Sequence, residues 1–260
     1  MMNNKSRKTW QCLLFIIHHS SFIILTSGLA FADSSATQPA KLDALQIDAA
    51  HKRLIIQCEA LNAQMPLEFF CVQVGGNEYE SVLRTPAKPS DIHFGLLALG
   101  LTPGEPAHYV EATDTWYAPT GPPLNIVCRF IQNGTEVTVP AYRLLRSVKD
   151  KKECPAMNWV FDGSRILPDG RYAADITGYV VSIVNFDLTM IDVPQLASNS
   201  NETLEWEFNP DVCPKAGTPV EMIIEPAASP TTQPAATQSG KQFFPGPGLH
   251  GESAAPATQP

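Results

Sequence analysis

The chain lacks the short motifs that mark many catalytic sites. It has no G-x-S-x-G nucleophile turn, no H-E-x-x-H zinc pair, no phosphate loop, no dinucleotide fingerprint and no C-x-x-C. Basic residues are also scarce, with 18 Lys and Arg against 26 Asp and Glu. These absences argue against the common hydrolase, nucleotide-binding and redox classes. A chain without a basic cluster is also a poor binder of nucleic acid or anionic lipid.

The N-terminus has the pattern of a secretory signal peptide. A basic start precedes a mostly apolar run over residues 12–25, and small residues then lead to Ala30-Phe31-Ala32. This A-x-A sequence predicts cleavage between Ala32 and Asp33. The apolar run is too short for a typical membrane span, and no later segment reaches about 18 to 20 apolar residues. We therefore expect an exported protein, periplasmic or secreted, with no stable membrane insertion after cleavage; an uncleaved N-terminal anchor is the alternative.

Both ends of the mature chain differ in composition from its middle. Residues 33–40 and 226–260 share the tokens TQPA and ATQ and are rich in Pro, Ala, Thr, Ser and Gln. Such segments lack the apolar mass to offset chain entropy, so we expect a flexible N-terminal segment and a disordered tail. The tail is an unmodified solvated segment, a spacer or a site of O-linked sugar. Residues 41–225 are enough for one domain with its own core.

The periodicity of this domain is mostly that of strands. Residues 54–58 alternate between apolar and polar positions and 67–74 are rich in β-formers, which predicts a hairpin with its turn over 62–66. Asn133-Gly134 is a strong signal for a tight turn. Further strands are predicted over 80–84, 108–111, 124–131, 136–139, 158–161, 178–186, 204–208 and 220–224. The fold class is therefore α+β and β-dominated, with antiparallel strands in a sandwich-like or mixed sheet.

One or two short helices complete the prediction. Ser90 is a suitable N-cap, and Gly100 fits the left-handed residue that ends a helix, so the first helix is predicted over 91–99. Its apolar residues cover much of its circumference, which predicts a well-packed helix. A second helix is predicted over 141–148, where apolar and basic residues fall on opposite faces.

The strongest candidate for a site combines Glu78, Glu80, Ser90 and His93. Strand alternation places Glu78 and Glu80 on one face, and a carboxylate beside a histidine can bind a divalent metal or act as an acid and base pair. The structural alternative, which we favour, is a core histidine hydrogen-bonded to satisfy burial. Convergence of His93 with His51 or His108 would favour a metal, and the sequence assigns no metal site.

Other acidic residues are predicted to form turns and caps rather than a site. Asp162-Gly163-Ser164 is a turn sequence, and the remaining carboxylates are spread over different segments. This set comprises Asp169, Asp175, Asp187 and Asp192.

The mature chain keeps five cysteines, and an oxidising compartment permits disulfides. Cys154 and Cys213, each followed by proline near a predicted strand, are the preferred pair. Cys58 and Cys71 are a weaker pair across the predicted hairpin, because bonds between adjacent strands are often strained. One cysteine must remain unpaired within the monomer, and Cys128 in an apolar strand is predicted to be a buried thiol.

A series of motifs along the domain resembles a known family. It comprises Leu67-Glu68 through Cys71, GNEYES from Gly76, KPSDIHFGLLALGLTPGEP from Lys88, WVFDGS from Trp159, YAADITGYV from Tyr172 and NFDLTMIDVP from Asn185. In this order the motifs resemble the YdjY-type domain of exported bacterial proteins, over nearly the whole folded region. The resemblance implies a domain but not a reaction.

The resemblance also bears on cofactors and on the candidate site. Some relatives are associated with ferredoxin-like iron–sulfur segments, but this chain lacks the clustered cysteines that such a centre needs, so no iron–sulfur cluster or other cofactor is expected. The family commonly has histidine at the position of Tyr79. A histidine-pair site with His93 is therefore weakened in this chain.

Two functions from different classes follow from the sequence. The preferred one is an exported envelope protein whose domain is a non-catalytic structural or binding module for an unknown protein or envelope component. The alternative is a metal-binding protein or hydrolase with its site around Glu78, Glu80, Ser90 and His93. A shared concave pocket would favour the alternative, and an exposed groove or apolar patch would favour the module.

Overall fold

The computed structural model describes residues 41–42, 44–63, 65–227 and 237–239. The predicted signal peptide with its cleavage site, the segment 33–40 and most of the tail lie outside the described residues. Within the described part of the chain, no helix has the length and apolar character needed to cross a membrane.

Strands dominate the described residues. They are β1 (Lys41–Leu42), β2 (Leu45–Asp48), β3 (Arg53–Ala60), β4 (Phe69–Gln73), β5 (Ser81–Thr85), β6 (His108–Val110), β7 (Thr115–Tyr117), β8 (Pro123–Gln132), β9 (Thr135–Pro140), β10 (Leu145–Ser147), β11 (Trp159–Phe161), β12 (Tyr179–Ser182), β13 (Ile191–Asp192), β14 (Trp206–Phe208), β15 (Pro219–Pro226) and β16 (Thr237–Ser239). Two short helices accompany them, α1 (Pro89–Ala98) and α2 (Ala173–Thr177). Single 3₁₀ turns form at Glu78–Glu80, Glu111–Thr113, Ala141–Leu144 and Asn201–Thr203. The β-dominated character and the short helices are confirmed.

Eight of these strands close into a mixed barrel. Around the ring the neighbours are β3, β15, β8, β11, β13, β12, β4 and β5, and β5 pairs with β3 to close it. The β12–β13 and β4–β5 pairs are parallel, and the other pairs in the ring are antiparallel. The expected sandwich-like or mixed sheet is therefore only partly right. The sheet is mixed, but it closes on itself.

Alternation along the strands supplies the core of the barrel. In β8 every second residue from Leu124 to Phe130 is buried, while the residues between them are partly exposed. In β3, Leu54, Ile56 and Cys58 are likewise buried, and Ile55 between them is also covered. Because successive strand residues point to opposite faces, each strand contributes one apolar row to the interior.

The predicted hairpin between β3 and β4 is wrong. β5 lies between these strands, antiparallel to β3 and parallel to β4. After β3 the backbone N–H of Leu61 donates to the carbonyl of Val82, so the chain continues along the first residues of β5 and does not turn back to pair with β3. The predicted Asn133-Gly134 turn, in contrast, joins β8 to β9, and both residues have the positive φ that such a turn requires.

The first predicted helix exists, but it starts earlier than expected. Pro89 is its first residue, where a missing N–H costs nothing, and Lys88 is the N-cap. Ser90 therefore lies inside the first turn and does not cap the helix. α1 packs on β2 and β3. At its closest approach a β-carbon on Gly95 would lie 2.6 Å from Leu54 Cδ1, so any larger residue there would require the buried Leu54 side chain to shift.

The second predicted helix, over 141–148, is wrong. Residues Ala141–Leu144 form a 3₁₀ turn, and β10 follows at once and pairs with β14. Pairing with a distant strand therefore overrides the local helical spacing of the apolar residues. A separate small sheet contains the β6–β7 hairpin and β16.

The structure forms neither predicted disulfide, since the five cysteines Cys58, Cys71, Cys128, Cys154 and Cys213 are buried free thiols. β5 separates β3 from β4, so Cys58 and Cys71 are not on adjacent strands; their thiols still interact, since burial and next the Cys58 thiol raise the pKa of Cys71, but no bond joins them. In the second pair, Cys154 lies against Pro155 and Met157, while the Cys213 thiol donates to the carbonyl of Leu144. The prediction that Cys128 is a buried thiol is confirmed, and burial raises its pKa well above the usual value.

Candidate functional site

Glu78 lies on a 3₁₀ turn and not on a strand, so the alternation argument for Glu78 and Glu80 fails. The Glu78 carboxylate accepts the backbone N–H of Gly75 at 2.9 Å and pairs with the Arg84 guanidinium at 2.8 Å. The Gly75 bond and the Arg84 pair lower the pKa of Glu78. Its contacts are those of a structural ion pair.

Glu80 meets a carboxylate that the sequence analysis missed. The parallel pairing of β4 with β5 brings Glu68 and Glu80 together, and the Glu68 N–H donates to the Glu80 carbonyl at 3.1 Å. Burial, and next the neighbouring Glu80 carboxylate, raise the pKa of Glu68 to about 8. Glu68 therefore favours its protonated form at neutral pH. Only the register of two parallel strands, which the sequence does not show, could have revealed this pair.

Ser90 and His93 lie on α1 and face a different part of the fold. The Ser90 N–H donates to the Asp175 carboxylate on α2 at 2.8 Å, and His93 Nδ1 lies 2.9 Å from the Tyr172 hydroxyl. Tyr172 in turn donates to the carbonyl of Gly163 at 3.0 Å. The predicted pair Ser90 and His93 is thus at the junction of α1, α2 and the turn at residue 163.

The predicted four-residue site does not form as a hydrogen-bonded set. Within the described ranges, no hydrogen bond or ion pair joins Glu78 or Glu80 to His93. His51 is hydrogen-bonded to Asp48, and the His108 ring stacks on Tyr117. Neither of these contacts involves His93. Nor do the described residues contain three or more His, Cys, Asp or Glu side chains grouped to hold a metal ion.

His93 is half-buried and enclosed by aromatic rings. Phe161 and Tyr172 contact it edge-on, with ring centroids 4.9 and 5.5 Å away. Burial lowers the pKa of His93, which favours the neutral imidazole. The Tyr172 hydroxyl donates its hydrogen to the Gly163 carbonyl, so its oxygen can accept a hydrogen bond from the Nδ1–H of His93. The structure therefore supports the core-histidine interpretation, with a hydroxyl as the partner.

The turn at Asp162-Gly163-Ser164 is confirmed and is tied to a second segment. Gly163 and Ser164 both have positive φ, and Asp162 Oδ1 accepts the Ser164 N–H at 3.1 Å. The Gly163 N–H donates to the carbonyl of Met190, and the Ser164 hydroxyl donates to that of Leu188. Positive φ is unusual for serine, so these bonds hold a costly conformation.

Two buried carboxyl groups, Asp162 and Asp192, lie next to this turn. Asp192 accepts hydrogen bonds from the Ser182 hydroxyl, the Asn185 amide and two backbone N–H groups. Burial raises the pKa of Asp192 to about 7 despite these donors. Burial, and next the charge of Asp192, raise the pKa of Asp162 well above its usual value. The sequence analysis treated both as turn formers, because their burial follows from tertiary packing.

α1 also exposes apolar side chains, contrary to the predicted close packing. Ile92 and Leu96 are buried, but Phe94 is 59% exposed and Leu97 44%. On α2, which packs against α1, Ile176 is 39% exposed. We call Phe94, Leu97 and Ile176 the apolar helix face.

Two adjoining cavities lie elsewhere, on the outer wall of the barrel. Their volumes are about 420 and 440 Å³, and both are lined by Gln57 and Pro219. Of the residues predicted for sites, Cys58 lines one of them, but Glu78, Glu80, Ser90 and His93 line neither. The arginines in these cavities, Arg84 and Arg129, are already paired with glutamates. The wall is therefore a weaker candidate for ligand binding than the junction of the helices.

Comparison with known proteins identifies the domain. A family model described as the YdjY domain matches residues 45–225. No curated protein and no solved structure matches the chain. The match covers both helices and all eight strands of the barrel except the last residue of β15. The chain therefore belongs to the YdjY domain family.

Proposed function

We propose that this protein is an exported component of the bacterial cell envelope and that its domain is a non-catalytic binding module. The observation that carries the proposal is the apolar helix face, because three large apolar side chains are exposed on adjoining helices. Exposed apolar groups on neighbouring elements are typical of protein interaction surfaces. The N-terminal leader pattern supports export.

The chemistry of this face indicates an apolar protein segment as the partner. α1 carries one carboxylate, Asp91, and no lysine or arginine, so it offers little to a charged ligand. His93 and Tyr172 border the face and are already bonded to each other. Nucleic acid is a poor partner because the mature chain would carry 15 basic and 26 acidic residues, a formal charge of −11.

Photo-crosslinking in cells tests this surface. A benzoyl-phenylalanine placed at Phe94 or Leu97 is expected to give a discrete adduct with another envelope protein. The matched control is the same probe at Val74, a 53% exposed apolar residue that lies outside the helix face. The Leu97 adduct is expected to disappear when Phe94→Asp is combined with the probe. An identical adduct at Val74, or none at either helix position, would contradict the proposed surface.

Export is tested separately by following the N-terminus. We expect the chain recovered from the periplasm or the medium to begin at Asp33, as determined by Edman sequencing. Replacing Ala30 and Ala32 by bulky residues should leave the precursor uncleaved. Recovery of the full-length chain in the cytosol would exclude export without affecting the proposal about the helix face.

A second function, a metal-binding protein or hydrolase, is favoured by one observation. His93 is half-buried with its pKa lowered, so its imidazole is neutral and can accept a proton or bind a metal. In this view Tyr172 and the Gly163 carbonyl orient the ring, and Ser90 lies on the same helix. Metal analysis of the purified mature protein, with and without His93→Ala, decides between the two functions. Stoichiometric transition metal that is lost in the variant would replace the binding-module proposal.

A further inference from the structure

Two carboxyl groups, Asp162 and Asp192, are buried without a basic partner in the described part of the chain. Asp162 is 1% exposed and Asp192 is fully buried. Every hydrogen bond that either carboxyl group accepts comes from a neutral donor. Two ionised carboxylates in such a place would carry two uncompensated charges, which is far more costly than one.

The strand register places the two carboxyl groups on one face of neighbouring strands. In the antiparallel pairing of β11 with β13, Val160 is opposite Asp192. Side chains two residues apart share a face of a strand, so Asp162, directly after β11, is a diagonal neighbour of Asp192. The two groups accordingly influence each other, since burial and next the Asp192 charge raise the pKa of Asp162.

The hydrogen-bond donors are divided unequally between the two groups. Asp192 accepts four, three of them at Oδ1 and one, the Phe186 N–H at 3.3 Å, at Oδ2. Asp162 Oδ1 accepts the Ser164 N–H, whereas Asp162 Oδ2 has no hydrogen-bond partner among the described residues. Donors stabilise the ionised form of a carboxyl group. The negative charge therefore belongs on Asp192, and Asp162 Oδ2 is the oxygen that favours a proton.

A proton on Asp162 Oδ2 has two effects. It removes one of the two buried charges, and it turns an oxygen without a partner into a donor. Asp192 Oδ2 has a lone pair left to accept such a donor, because it accepts only the Phe186 N–H. Burial raises the pKa of both groups, which agrees with a proton that is retained at neutral pH.

The pair lies next to the turn that supports His93. The Gly163 N–H donates to the Met190 carbonyl at 3.0 Å, in line with the pairing of β11 with β13. The Gly163 carbonyl accepts the hydroxyl of Tyr172, which lies 2.9 Å from His93 Nδ1. A β-carbon on Gly163 would lie 3.4 Å from His93 Cε1, so the turn packs close to the ring. A change of charge at Asp162 therefore reaches the surroundings of His93.

The titratable groups on the elements around the pair supply no buried positive charge. They are His93 on α1, Tyr172 and Asp175 at α2, and Arg165 and Asp187 on the two segments that meet at the turn. His93 and Tyr172 are neutral, because burial lowers the pKa of the first and raises that of the second. Arg165 and Asp187 pair with each other and are partly exposed.

We propose that Asp162 and Asp192 hold one proton between them at neutral pH, and that this proton fixes the turn at residues 162–164 against β13. Loss of the proton would place two like charges in the interior and loosen the turn. The junction that holds His93 is therefore sensitive to pH. This property does not depend on the proposed binding surface.

The pH dependence of urea unfolding tests the pair. The parent for this test is Glu68→Gln, so that Glu68 does not contribute. A carboxyl group that keeps its proton only in the folded chain lowers stability as the pH rises above its usual pKa of 3.8. Asp162→Asn keeps the acceptor for the Ser164 N–H and is neutral at every pH. Between pH 5 and 8 the unfolding equilibrium constant of the parent should therefore rise, relative to that of the variant, about tenfold per pH unit.

Carbon-13 NMR of the wild-type chain gives a second measurement that needs no variant. At pH 8 one aspartate side chain should have the carboxyl chemical shift of a protonated acid. The His93 ring resonances should change at the pH at which this acid loses its proton. They should not change there in Asp162→Asn, because the amide cannot ionise.

Asp169→Asn is the matched control, since it removes an exposed carboxylate that pairs with Arg171. It should keep the pH profile of the parent. Equal profiles for Asp162→Asn and its parent, or no protonated aspartate in the wild type at pH 8, would overturn the proposal. If Asp162→Asn does not fold, the NMR measurement on the wild type still decides. Neither result bears on the crosslinking at the apolar helix face.

Discussion

The carboxylates of the barrel wall and those beside the 162–164 turn have opposite environments in the same fold. On the wall, Glu59 and Glu221 lie directly opposite arginines on neighbouring strands and pair with them. Beside the turn, Asp162 and Asp192 are buried among neutral donors. We call these two sets the paired wall and the buried acids.

The two sets differ in how they affect the free energy of folding. Partly exposed ion pairs contribute little to stability, because solvent screens them and ordering two long side chains opposes their attraction. Buried carboxyl groups without a cation impose a large penalty unless many donors, a proton or a bound ion compensate. The buried acids, which destabilise the fold unless they are compensated, are therefore better evidence of a specific structural requirement than the ion pairs of the wall.

The largest expected effect comes from removing the acceptor at the centre of the buried acids. Asp192→Ala removes the acceptor of four donors; the Asn185 amide keeps the carbonyl of Val193 as a second acceptor, but the buried Ser182 hydroxyl and the Val193 N–H lose the bond to Asp192. We expect the free energy of unfolding to fall by at least about 3 kcal/mol. Urea denaturation measures it, with Asp169→Ala as an exposed control that should stay within about 0.5 kcal/mol of wild type. A similar small loss for Asp192→Ala would remove the distinction between the two sets.

A smaller effect is expected from the raised pKa of Glu68. The folded-state pKa of Glu68 is about 8, raised from 4.5. Below pH 4.5 both folded and unfolded chains bind this proton, so there is no penalty. As the pH rises to about 8 the unfolded chain releases the proton first, and stability therefore falls.

Glu68→Gln should remove this pH-dependent loss of stability. Over the same pH range the wild type should lose about 2 kcal/mol more than the variant, less than the shift alone implies because Glu68 is only partly buried. Urea unfolding at pH 5, 6.5 and 8 measures the difference. Glu136→Gln on the exposed strand β9 is the matched control and should follow the wild-type profile. Parallel profiles for wild type and Glu68→Gln would show that the fold does not raise the pKa of Glu68.

Much of the strand content could be predicted, because alternation is a local signal. β8 and β15 lie within two residues of their predicted ends, and Asn133-Gly134 makes the expected turn. The order of the strands could not be predicted. β5 separates β3 from β4, and barrel closure depends on pairing β3 with β5, which no local pattern specifies.

The candidate site was predicted less well, for the same physical reason. Ser90 and His93 were identified, but the partner of His93 is Tyr172, 79 residues away in the chain. α2, which brings Asp175 to Ser90, has only five residues and no side-chain N-cap, so Gly178 at its end is the only capping signal in the sequence. The buried acids were missed because the sequence does not show how deeply Asp162 and Asp192 lie.

The smallest expected effect lies on the paired wall. Two N–H groups of Arg129 donate to the Glu221 carboxylate across the strand pair, but both side chains are about one-third exposed. We expect Arg129→Gln to lower the free energy of unfolding by less than about 1 kcal/mol, and by less still at high salt, where exposed charges are screened. Urea unfolding in 50 mM and 1 M NaCl measures both values. A loss above about 2 kcal/mol that persists in 1 M NaCl would mean that the register-matched pair contributes substantially to barrel stability. The paired wall and the buried acids would then both contribute strongly to the stability of the barrel. They would differ only in the kind of interaction, an ion pair on the wall and hydrogen bonds to buried carboxyl groups beside the turn.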